Sequence, residues 1–218
     1  MNYHTVMTGR NPKDDAAPPH DCRQARVEMR VAVREAAIDA AVELLEAEGP
    51  EGVTVRRVAS MVGASTQVIY TLFGGKPGLA GAVFGRGHEL LSAALLAAPT
   101  SGDARADLRA KGQAYRRHAQ ENPHLYAVMF GNLLGEMKPD ERAIAAAGAS
   151  FSTLVEAIVR CQEEGSVRAG GPVEIARIVF ATCHGASALE LSGRQPPGLD
   201  LTRTYEQLLD TLLRGLAP

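Results

Sequence analysis

At 218 residues the chain has room for one small domain and one larger one. A hydrophobic share of 45% supports a sizeable core, while 5% aromatic residues and no tryptophan suit alanine- and leucine-rich helices better than a β-sandwich. The formal net charge of −2 argues against a histone-like, non-specific polyanion binder, and the odd, widely spaced set Cys22, Cys161 and Cys183 argues against a disulfide framework or a zinc site. Buried free thiols in a reducing cytoplasm are the expectation for all three.

Residues 1–22 mix charges with prolines, lack periodicity, and read as a disordered tail. Residues 26–48 carry Val33, Ala37, Ala40, Ala41, Leu44 and Leu45 at helical spacing, and Gly49-Pro50-Glu51-Gly52 stops that helix. Arg23, Arg26, Arg30 and Arg34 recur along it, alternating with Glu28, Glu35, Asp39 and Glu43. Thr54 is placed to cap a second helix whose apolar face is Val55, Val58, Ala59 and Val62. Gly63 ends it and Ser65 caps a third. In that third helix Val68, Ile69 and Leu72 are expected to face the core, leaving Thr66, Gln67, Tyr70 and Thr71 outward.

Two short helices joined at a glycine form a helix-turn-helix, a way of placing one helix in a DNA major groove. Gln67 has the amide that pairs bidentately with adenine, and Thr66 can donate, accept or touch a thymine methyl. Tyr70 and Lys76 suit phosphate oxygens, with Arg56 and Arg57 as nearby cations. Only some of the seven cations around the reader, from Arg23 to Lys76, are expected to reach phosphate.

The segment Gly52-Val53-Thr54-Val55, Gly63-Ala64-Ser65, Ile69-Tyr70-Thr71-Leu72-Phe73 and Lys76 resembles the N-terminal domain of TetR-family transcription regulators over about residues 26–83. The resemblance implies phosphate contacts from Thr54, Tyr70 and Lys76, with Thr66 and Gln67 facing bases. Two positions depart from the pattern. Gly74-Gly75 replaces the polar cap usual before the lysine, and Thr71 replaces an often aromatic or histidine position. The DNA-binding set expected is Thr54, Arg56, Ser65, Thr66, Gln67, Tyr70, Thr71 and Lys76.

Further helices are predicted over residues 76–97, 103–121, 123–134, 139–164, 173–191 and 201–216, with no strand pattern. The last two carry Ile175, Ile178, Val179, Thr182, Ala186 and Leu189, and Leu208, Leu209, Leu212 and Leu213. So much apolar surface suits a seam between two copies, giving a homodimer that matches a pseudo-palindromic operator. Asn122 to Gly131 and Cys183 to Glu190 also resemble the C-terminal WHG type of TetR-like ligand domain, with Cys183 in the tryptophan's place. Candidate ligand-binding residues between the middle helices are Phe84, His88, Leu91, Tyr115, His118, Tyr126, Met129, Phe130, Phe151, Val155, Phe180 and His184, apolar walls with a few polar handles.

No nucleophile–base pair, paired carboxylate or phosphate loop marks an enzyme, and neither a cofactor nor a metal site is expected. No apolar run is read as long enough to cross a membrane. The expected fold is all-α. A disordered tail (1–22) precedes a three-helix helix-turn-helix DNA-binding domain (23–75) and a larger helical ligand-binding and dimerisation domain (76–218). The expected function is a cytoplasmic DNA-binding transcriptional regulator, a repressor released by a small molecule. The alternative is a helical small-molecule-binding or scaffold protein without DNA affinity.

Overall fold

The computed structural model describes residues 22–218. The expected tail lies outside them except for Cys22, which is exposed at the start of α1 rather than buried. The described residues form nine α-helices and no strand: α1 (Cys22–Glu48), α2 (Val55–Met61), α3 (Thr66–Phe73), α4 (Lys76–Leu96), α5 (Ala104–Glu121), α6 (Pro123–Phe130), α7 (Glu141–Glu163), α8 (Pro172–Leu191) and α9 (Leu201–Gly215).

Side chains at the helix starts explain most of these boundaries. Asp103 accepts from the amides of Arg105 and Ala106, Asp140 from that of Ala143, and Asp200 from that of Arg203. Pro123 and Pro172 open α6 and α8, where a missing N–H costs nothing. Helix α6 ends at Phe130, four residues before the predicted stop. Gly131 is extended there (φ −132°, ψ −151°), so Leu133 and Leu134 reach the core from an irregular segment.

Helix α4 is the central strut. It packs on α7, α6, α5, α1 and α3. Its contact with α7 is close because Gly85 has no side chain; a Cβ there would lie 2.8 Å from the Cα of Ala143. A charged lattice ties α1, α4 and α7 together on the outside. Arg86 bonds Glu35 (2.7 Å), Arg142 bonds Glu35 (2.5 Å) and Glu89 (3.0 Å), and Arg34 bonds Asp140 (2.5 Å).

One expectation is corrected by α7. It is long and apolar enough by length and composition to cross a membrane, with a window of mean hydropathy 1.4. Small residues hide that run from a reading based on large side chains, since five of the six positions 144–149 are alanine or glycine. Ile144, Ala145 and Ala149 are exposed, while Ala157, Ile158 and Cys161 are buried against the other helices. The predicted seam divides in two. Ile175, Val179, Leu209 and Leu213 are buried within the chain, whereas Ile178 and Leu189 point outward.

Candidate functional site

The helix-turn-helix is assembled by two capping hydroxyls. Thr54 Oγ1 accepts from the Arg57 amide and Ser65 Oγ from the Val68 amide, both at 3.3 Å. Between them Gly63 takes φ +64°, the left-handed turn a side chain resists. Helix α3 anchors through buried Ile69 and Phe73. Ser65, Thr66, Gln67, Tyr70, Thr71 and Lys76 are all exposed, with Arg56 exposed on α2 beside them. The cap leaves the Thr54 hydroxyl proton able to donate.

One residue, Val68, departs from expectation, and three others are engaged within the protein. Val68 is 39% exposed rather than in the core, because in a helix of eight residues it lies one 100° step away from the anchor Ile69. Thr71 donates its hydroxyl proton to the Gln67 carbonyl at 2.8 Å, so toward a ligand it retains only acceptor capacity. Arg57 grips both oxygens of Glu48, holding that carboxyl below its usual range, and Arg34 is engaged by Asp140 while lying over the Phe73 ring. These two cations brace the head; Arg26 and Arg30 lie on the exposed first turns of α1.

A cavity of about 180 Å³ opens between α4, α5, α6, α7 and α8. Six of the twelve predicted ligand residues line it: His88, Leu91, Tyr115, Phe130, Phe151 and Phe180. Lys111, Ser150, Leu154 and Arg177 also line it, and sequence reasoning did not single them out; Cys183, at the tryptophan's place of the WHG resemblance, lines it too. Spacing carried a signal for two of these, since Lys111 is four residues before Tyr115 and Arg177 three before Phe180, each on the same helix face as its ring.

Phe84, His118, Tyr126, Met129, Val155 and His184 are outside the lining. Tyr126 and His184 form a second layer behind it. Tyr126 Oη is 2.7 Å and Tyr115 Oη 3.2 Å from His184 Nδ1, and the imidazole stacks on Phe180 at 5.4 Å. Burial pushes the Tyr126 phenol up to about 12 and the His184 imidazole down. Phe84 supports His88 edge-on at 4.7 Å. His118 is buried beside Asn122, with Nε2 lacking a partner among the described residues.

The cavity and the head share structural elements. Helix α4 begins at Lys76 on the outer face and lines the cavity with His88, Leu91 and Leu95. From α1, Glu46 Oε1 accepts from the Leu125 amide at 2.6 Å, capping α6, whose last residue Phe130 is a cavity wall.

This architecture defines a DNA-binding transcriptional regulator of the helix-turn-helix class. Residues 37–83 match the family model for bacterial regulatory proteins of the tetR family, and residues 108–212 that for the tetracyclin repressor-like C-terminal domain. A Rhodococcus sp. RHA1 protein of unknown function is similar at 28% identity and TM-score 0.72, over 85% of this chain and 96% of that one. The TetR family transcriptional regulator PfmR from Thermus thermophilus is similar at 23% identity and TM-score 0.59, over 84% of this chain and 99% of that one. A tetR-family regulatory protein from Rhodococcus RHA1 is similar at 19% identity and TM-score 0.61, over 85% of this chain and 97% of that one. No curated protein matches the chain. The chain belongs to the TetR family of bacterial transcriptional regulators, a family of non-enzymatic proteins.

Proposed function

We propose that the protein is a homodimeric repressor that leaves a pseudo-palindromic operator when a small molecule fills the cavity. Residues 23–75 act as the reading domain and 76–218 as the ligand and dimer domain. Thr66 and Gln67 read base edges, while Thr54, Tyr70, Lys76 and Arg56 hold phosphates. The observation that carries this is the double duty of α4, which starts at Lys76 beside the reader and walls the cavity twelve residues later with His88. A ligand that favours one placement of α4 biases the spacing of the two heads, and operator affinity follows.

The outward side of α8 supports the dimer. Ile178, Ala181, Gly185 and Leu189 recur there at helical spacing, and a Cβ at Gly185 would meet no atom within 4 Å. Leu189, 62% exposed, borders a groove shared with Leu199, Leu201 and Leu208. Leu189→Glu therefore gives a monomer by light scattering and loses cooperative operator binding. A variant that stays dimeric places the seam elsewhere.

The regulator reading is tested by mobility shift of the full chain on fragments upstream of its own gene, with excess competitor DNA. A saturable, specific shift that weakens steeply with salt is expected. Absence of any specific shift across genomic fragments with folded dimer overturns it, in favour of a helical binding protein.

A further inference from the structure

We propose that the cavity selects an amphipathic organic anion, a carboxylate on a single-ring or short aliphatic body. This rests on the reading of the cavity as the effector site. Its walls are apolar, with Leu91, Leu95, Phe130 and Phe180 among them, and it contains two cations, Lys111 and Arg177, but no carboxylate.

The neutral donors of the wall are already engaged. Ser150 Oγ donates to the Ala147 carbonyl at 2.9 Å, so it accepts from His88 Nδ1 at 2.9 Å. The Tyr115 hydroxyl donates to that of Tyr126 at 3.3 Å. The free donors of the wall are therefore cationic, with His88 Nε2 left as a neutral acceptor.

Lys111 Nζ donates to the Leu95 carbonyl at 2.7 Å, which fixes the ammonium at the wall with two N–H groups remaining. Burial lowers its pKa, and the Arg160 charge adds to that. Nearby Asp107 gives little relief, since it accepts from Ser101 (2.6 and 2.9 Å) and Arg160 (3.2 Å). The other acid facing Lys111 is Glu156. Arg177 lies over the Phe180 ring at 5.5 Å and has no carboxylate partner among the described residues. By contrast Arg86, Arg109, Arg116, Arg142 and Arg160, which bridge helices, each engage at least one.

Two under-compensated cations on an apolar cavity favour an anion and oppose an amine. The volume sets the size. An engineered apolar cavity of roughly 150 Å³ admits benzene, so this one takes a ring or a chain of comparable bulk.

The test is calorimetric titration of the full-length protein, without DNA, using hexanoate, octanoate, decanoate and 3-phenylpropionate against their primary amides. At least one acid is expected to bind roughly tenfold or more tighter than its amide, the scale of one charge-assisted contact. Lys111→Met and Arg177→Gln each erase that preference. Arg177→Gln, at a solvent-exposed position, is the variant least able to disturb folding. Equal affinity for acid and amide, or no binding by any acid, overturns the proposal. Operator binding is scored separately. Acid binding that leaves the operator complex intact upholds the ligand class and refutes ligand-driven release, whereas a working operator complex with no acid affinity refutes the ligand class alone.

Discussion

Replacing Gln67 and Tyr70 together by alanine abolishes specific operator binding and leaves the helical fold in place. Both side chains are outside the core. Tyr70 is 53% exposed, and α3 is anchored instead by Ile69 and Phe73. A bidentate amide–adenine pair is worth about 1–3 kcal/mol of discrimination. A lost phosphate contact weakens binding to every sequence. Two heads double both effects, so the expected loss is about a hundredfold or more. The single variants separate the roles. Gln67→Ala relaxes preference at one base position per half-site, and Tyr70→Ala weakens all sequences alike. Val68, exposed between Thr66 and Tyr70, adds an apolar group able to meet a thymine methyl. Retained operator affinity in the double variant, with unchanged circular dichroism, removes α3 as the reader.

What the sequence made legible followed from local chemistry. Capping hydroxyls, opening prolines and glycine stops report on the backbone within a few residues, so Thr54, Ser65, Pro123 and Pro172 placed their helices closely. Long apolar stripes were legible for the same reason. The short helix α3 was less so, because eight residues span barely two turns and cannot settle whether Val68 or only Ile69 faces inward. Interhelical facts were hidden. That Gly85 admits the α7 backbone depends on Ala143, fifty-eight residues away. Spacing puts Lys111 and Arg177 on the faces of Tyr115 and Phe180, but that those faces wall a cavity depends on the helices packed around them. Which of the seven cations near the reader are free for phosphate was not legible either, because only the fold supplies the carboxylates, Asp140 and Glu48, that engage Arg34 and Arg57.

The protein loses stability as pH falls from about 6.5 toward 4, and His88 carries a defined part of that loss. His88 is 7% exposed, flanked edge-on by Phe84 and Phe130, with its one polar contact on Ser150. Burial first, and the nearby His118 second, lower its pKa from 6.5 to about 4. The sign follows from proton counting. Between those values the unfolded chain holds the proton and the folded one does not, so acid favours unfolding. The stabilisation is complete above pH 6.5 and lost as pH falls through the folded value. At about pH 5 the loss from this one group is on the order of 2 kcal/mol. His118 and His184 are shifted downward by burial as well and steepen the same limb. His88→Asn keeps a donor near Nδ1 toward Ser150 and removes the titration. It is expected to be somewhat less stable at about pH 7, where the smaller side chain leaves a void, yet to lose less stability than the parent between about pH 7 and 5. Urea midpoints of both proteins at the two pH values decide the matter. Parallel losses would mean that His88 titrates normally, and that the wall it forms is wet enough to hold an imidazolium beside Lys111 and Arg177.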